Sequence, residues 1–144
     1  MQGYKNLIKL VTIANLEGFY YKPRVDKELL KKHADGLIIL SGCLASEFGR
    51  AARDGDGGKA LAVAKEYMQI VVDENYYIEI QPHHMADQLK ANSIAHQVAK
   101  SIGRPVVVTN DIHYLNKDDE ETHEVLLSIN TGKELDDAER VSLK

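Results

Sequence analysis

Apolar and polar positions follow two rhythms along this chain, a helical one of about 3.6 residues and a strand-like one of two. "GYKNLIKLVTIANLEGF" (3–19) puts Leu7, Leu10, Val11 and Ala14 on one helical stripe, with Gly18 as a stop. "YYKPRVD" then runs extended, because the residue before Pro23 is pushed out of the α region. "VDKELLKKHAD" reads as a short helix capped by Asp26. "GLIIL" (36–40), bounded by Gly36 and "SGC", reads as a buried strand. "GGKALAVAKEYMQIVVD" (57–73) is a helix that aligns Ala60, Ala64, Tyr67, Met68 and Val71. "NYYIEIQ" (75–81) alternates as a strand and is ended by Pro82. "ADQLKANSIAHQVAKSIG" (86–103) is a helix stopped by Gly103, and "RPVVVTN" is a third strand. "KDDEETHEVLLSIN" carries acidic residues in its first turn, which suit a helix N-terminus.

The predicted order is therefore α, α, β, α, β, α, β, α. Strands separated by helices of this length imply crossover connections and a parallel sheet. The fold class is α/β. Three strands cannot close a barrel, so the sheet is either small and open or part of something larger. The Gly/Asp run "RDGDGGK" (53–59) reads as a turn leading into a helix, and no repeat or low-complexity linker interrupts the chain.

Bulk properties narrow the class. The 144 residues are 44% hydrophobic and 28% charged, enough to bury one core. A net charge of −4 gives no broad basic surface of the kind a free-standing nucleic-acid binder carries. The single cysteine, Cys43, rules out an internal disulfide and suits a reducing compartment. The longest apolar runs are too short to span a bilayer, and the N-terminus lacks the apolar core of a signal peptide. A cytoplasmic protein with no membrane association is expected.

In parallel α/β architectures, functional groups collect beyond the carboxyl ends of the strands. Here the first strand leads to Ser41, Gly42 and Cys43. The second leads to Glu79, Gln81, His83 and His84, and the third to Asn110, Asp111, His113 and Tyr114. Asp111 and His113, two apart, share a side if the chain stays extended. Thiolate, carboxylate and imidazole together suit a borderline metal such as zinc.

Each residue also has a plainer reading. Cys43 could be a small buried hydrophobe, and Asp111-x-His113 a loop pair. His83 and His84 could be solvated turn residues, and Glu79 could face either water or a site. His33, His96 and His123 read as surface positions on helices. "TGKE" lacks the upstream glycine of a phosphate-binding loop, and nothing supplies an oxyanion hole for nucleophilic catalysis by Cys43.

"GYKNLIKL", "EGFYYKPRVDKELL", "GLIILSGCLASE", "YYIEIQPHH", "VVVTNDIHYL" and "HEVLLSINTGKELDD" together resemble consecutive blocks of one known domain. It is the PHP (polymerase and histidinol phosphatase) domain of the alpha subunit of bacterial DNA polymerase III, and the likeness runs over nearly the whole chain. The resemblance implies a distorted (β/α)7 barrel with a metal cluster at its C-terminal rim, of which residues 1–144 form the later part as a single domain fragment. Cys43, Asp111 and His113 match ligand positions of that cluster. Glu79 and His83 fall in a block that lines the site without an assigned ligand role. The family's early His-x-His has no counterpart here.

The resemblance further implies a full-length DNA-directed DNA polymerase that acts in replication and has DNA and other replisome subunits as partners. Zinc or other divalent metals would serve a 3′–5′ exonuclease or phosphoesterase site in the complete domain. A catalytically silent scaffold that binds the proofreading subunit, or a stand-alone phosphatase of the histidinol phosphatase type, are the alternatives. The chain alone is expected to be inactive, to retain little zinc and to self-associate through apolar faces.

Overall fold

Three apolar stretches separated by helices come together as a parallel sheet in the computed structural model, which describes residues 1–71 and 75–137. The chain divides into two units, Met1–Asn110 and Asp111–Lys144.

The first unit opens with helix α1 (Gln2–Leu16) and a two-stranded antiparallel hairpin, β1 (Phe19–Tyr20) and β2 (Lys22–Pro23). Helix α2 (Lys27–Lys32) follows, then β3 (Ile39–Leu40), α3 (Glu47–Asp54) and α4 (Gly57–Met68). Strand β4 (Tyr76–Ile80), helix α5 (Ala86–Ile102) and strand β5 (Val106–Val108) complete it. The sheet order is β3-β4-β5, with Ile39 level with Tyr76 and Ile78 level with Val106. In the second unit, a 3-10 turn (Lys117–Asp119) leads into α6 (Glu120–Thr131). Asn116 and Asp119 form a reciprocal capping box at that turn.

Alternation along β4 explains why the sheet has two unlike faces. Tyr76 and Ile78 are fully buried, and their neighbours Ile39, Ile80 and Val106 pack on the same core. Against that face lie α3, α4 and α5, which contribute Phe48 and a series of small residues, among them Ala52, Ala60, Ala64 and Ala95. Small side chains let three helices approach one short sheet closely. Tyr77, Glu79 and Val107 point to the opposite face and are half-buried.

Several local expectations need correction. The buried stripe of α1 is Gly3, Asn6, Leu10 and Ala14, whereas Leu7 and Val11 are exposed. The helix turns its smaller residues inward because it docks on the turn after α2, where Asn6 Nδ2 donates to the Asp35 carbonyl at 2.8 Å. "GLIIL" is not a buried strand. Only Ile39–Leu40 pairs, and Ile38 is 64% exposed, because β3 is an edge strand covered on one face. "YYKPRVD" is not simply extended, since Tyr21 adopts φ +59° and turns β1 back onto β2. Helix α3 was not foreseen. Ser46 caps it by accepting from the Gly49 amide at 2.8 Å, and Phe48, Ala51 and Ala52 are buried. Residues 72–73 of the helix expected over 57–73 lie outside the described residues. The caps at Asp26, Gly103 and the acidic start of α6 are as anticipated.

Candidate metal centre

Because the three strands are parallel, their carboxyl ends share one rim of the first unit. Four hydrogen bonds organise that rim. The Gly42 amide donates to Glu79 Oε2 at 3.1 Å, and the Thr109 hydroxyl donates to Glu79 Oε1. The Glu79 amide donates to Ser41 Oγ at 2.8 Å, and the Ser41 amide donates to the Tyr77 carbonyl at 3.0 Å. The loop after β4 is held from α5, where Asn92 Nδ2 donates to the Gln81 carbonyl at 2.7 Å and Gln88 Nε2 donates to Asn92 Oδ1 at 2.9 Å.

Cys43 carries a free, half-buried thiol just beyond β3. It lines a small cleft, with room for no more than about one water, together with Gly42, Phe48, Glu79, Gln88 and Asn92. Two glycines make this turn possible. Gly42 has φ +81°, a left-handed conformation that favours glycine. A Cβ on Gly49 would lie 2.1 Å from the Cys43 carbonyl oxygen, so α3 touches the cysteine segment backbone to backbone. His83 is half-buried, and its Nε2 is fully enclosed without a hydrogen-bond partner. His84 is exposed, as a turn residue would be.

In the second unit, Asp111 Oδ1 lies 3.2 Å from His113 Nε2, with both side chains more than 40% exposed. The i, i+2 spacing thus does bring carboxylate and imidazole together. His123 joins them from α6, its ring centroid 5.5 Å from that of His113 and 5.3 Å from that of Tyr114. Its Nδ1 is buried without a partner, so the surface reading of His123 is corrected. Its position as the fourth residue of a helix with a polar first turn gave no hint of this contact. Thr109 and Asn92, which organise the first unit's rim, also escaped sequence reasoning because neither belongs to a recognisable spacing.

Cys43 thus belongs to the first unit, and Asp111 and His113 to the second. Among the described residues of either unit, no three His, Cys, Asp or Glu side chains gather as a metal site requires. The donors present are nonetheless chemically suited to zinc, and an enclosed imidazole nitrogen without a partner is an available ligand atom. No helix among the described residues is long and apolar enough to cross a membrane.

Comparison with known proteins gives these residues a context. The family model described as PHP domain matches residues 1–83, more than half of the chain. The DNA polymerase III subunit alpha of Thermus aquaticus is 45% identical over 138 residues, covering 96% of this chain and 11% of that protein. The subunit from Treponema pallidum (strain Nichols) is 41% identical over 142 residues, 99% of this chain and 12% of the relative. That of Deinococcus radiodurans is 43% identical over 139 residues, 96% of this chain and 10% of the relative. The chain spans about a tenth of the length of the curated relatives it matches. On the match over residues 1–83, the chain belongs to the PHP domain family.

Proposed function

We propose that these residues work within the alpha subunit of a bacterial replicative DNA polymerase, a cytoplasmic DNA-directed DNA polymerase whose partners are DNA and the other replisome subunits. The observation that carries this reading is the similarity to DNA polymerase III subunit alpha along nearly the whole chain. In that setting residues 1–144 form the later part of a single PHP domain, and the small parallel sheet is one arc of a (β/α)7 barrel. Cys43, Asp111 and His113 serve as metal ligands at its rim, with Glu79 and His83 lining the site, and the remaining ligands come from elsewhere in the subunit. Zinc or another divalent ion bound there would supply hydroxide and neutralise a scissile phosphate, the chemistry of a 3′–5′ exonuclease. This chain's own part is to supply a thiolate, a carboxylate and an imidazole.

The test uses the full-length subunit. Replacing Cys43 with Ala, Asp111 with Asn or His113 with Ala should lower bound zinc, measured by elemental analysis, and abolish release of a mismatched 3′ nucleotide. Primer extension should continue. Unchanged zinc content in all three variants would overturn the ligand assignment. The 144-residue chain by itself is expected to hold no stoichiometric zinc, because ligands must be nearly complete before binding becomes strong.

A further inference from the structure

We propose that Glu79 is the positioning residue of the rim. Its carboxylate clamps the Ser41–Gly42–Cys43 turn to the end of β5, and so aims the Cys43 thiol. The inference rests on the metal reading above for its purpose, but its geometry stands alone.

Glu79 sits on β4, the central strand, on the face away from the helices. Its neighbours on that face include Tyr77 and Val107. A half-buried carboxylate among apolar side chains is costly unless its oxygens are satisfied. Here each oxygen has its own donor, the Gly42 amide on Oε2 and the Thr109 hydroxyl on Oε1. The Glu79 backbone contributes a third tie, its amide donating to Ser41 Oγ. One residue therefore fastens the ends of both flanking strands.

The other side of the cysteine segment is walled by α3, where Gly49 meets the Cys43 carbonyl. Cys43 is thus held between a wall and a clamp. A carboxylate engaged in this way on both oxygens acts by holding the turn rather than by direct coordination. An amide of the same shape could largely replace it, since Gln offers one acceptor for Gly42 and one donor for the Thr109 hydroxyl.

Three variants of the 144-residue chain test this: Glu79→Ala, Glu79→Gln and Thr109→Val. Two readouts report the turn without any metal, amide exchange at Gly42 and the rate at which iodoacetamide alkylates Cys43. Loss of a hydrogen bond to a charged group should speed Gly42 exchange by about 10–100-fold in Glu79→Ala. Cys43 alkylation should change in parallel, while the Ile78 amide in the core stays protected. Glu79→Gln should behave nearly as the parent chain. Thr109→Val, which leaves the carboxylate in place and keeps side-chain volume, should give a smaller change of the same sign.

In the full-length subunit, Glu79→Ala should weaken cobalt binding, followed by the thiolate–cobalt absorption, by about 10–100-fold, and Gln should restore it. Unchanged Gly42 exchange and Cys43 alkylation in Glu79→Ala would overturn the clamp. A Gln variant as impaired as Ala in cobalt binding would overturn positioning in favour of direct ligation. Failure of the unsubstituted subunit to bind cobalt would sink the metal reading, while the two metal-free readouts would still decide the clamp.

Discussion

Tyr76 shows how much one atom can matter in this core. The side chain is fully buried and stacks on Tyr67 with ring centroids 6.0 Å apart, yet its hydroxyl has no hydrogen-bond partner. A buried hydroxyl without a partner costs about 1–3 kcal/mol relative to hydration in the unfolded chain. Tyr76→Phe deletes only that atom and keeps the stacked ring. The variant is expected to be more stable by about 1 kcal/mol in urea unfolding at neutral pH. Burial also holds the Tyr76 phenol well above its ordinary value of 10.0. The unfolded chain therefore ionises first as pH rises through 10, and the native state loses stability there. Phe should blunt that alkaline loss. Equal or lower stability of the Phe variant, with the same alkaline limb, would show that the hydroxyl is satisfied.

Between elements, the joint at Lys27 ties α2 to both α3 and α4. Its Nζ lies 2.9 Å from Glu47 Oε2 and 2.9 Å from Glu66 Oε2, and 5.0 Å from the centroid of the Tyr67 ring. Tyr67 in turn donates to Glu47 at 3.0 Å. The hydrogen bond from Lys27 holds the Glu47 carboxyl below its ordinary value of 4.5, although burial opposes the shift. A depressed carboxylate stabilises the fold fully above its unfolded value, and that contribution fades as pH falls below 4.5. Glu47 is 44% exposed, so solvent screening limits the effect to under about 1 kcal/mol. Lys27→Met should lower stability at pH 7 and flatten the acid limb of a pH series of urea midpoints; parallel curves would refute the tie.

None of this joint was legible in the sequence, because it links residues 20 to 39 positions apart with no shared period. Helices with long apolar periods and clear stops, such as α5 ending at Gly103, were legible. Helix α3 was hidden because its eight residues include a glycine at the third position and four charged side chains, leaving too short an apolar period to read. At the site, Asp111 and His113 could be paired from spacing alone. The Glu79 clamp could not, since it depends on which of two faces β4 turns to the core.

For the chain as a whole, the decisive quantity is how much apolar surface it leaves uncovered. In the first unit, β3 and β5 are both edges of a three-stranded sheet, each paired on one side only among the described residues. Ile38 is 64% exposed and Leu40 39%, beside one of those edges. On α1, Tyr4, Leu7, Ile8 and Val11 are each about half exposed or more, a stripe a solvent-facing helix would fill with charges. Patches of this kind usually mark contacts, and unpaired edges offer backbone donors and acceptors to a second chain. The 16.1 kDa chain is therefore expected to self-associate, with a weight-average mass that rises with concentration in sedimentation equilibrium. If the edge of β3 mediates this, Leu40→Lys should return the mass toward 16.1 kDa without loss of helical signal, because the substituted residue lies outside the core. A constant 16.1 kDa at all concentrations would show that these faces stay dispersed in water despite their composition.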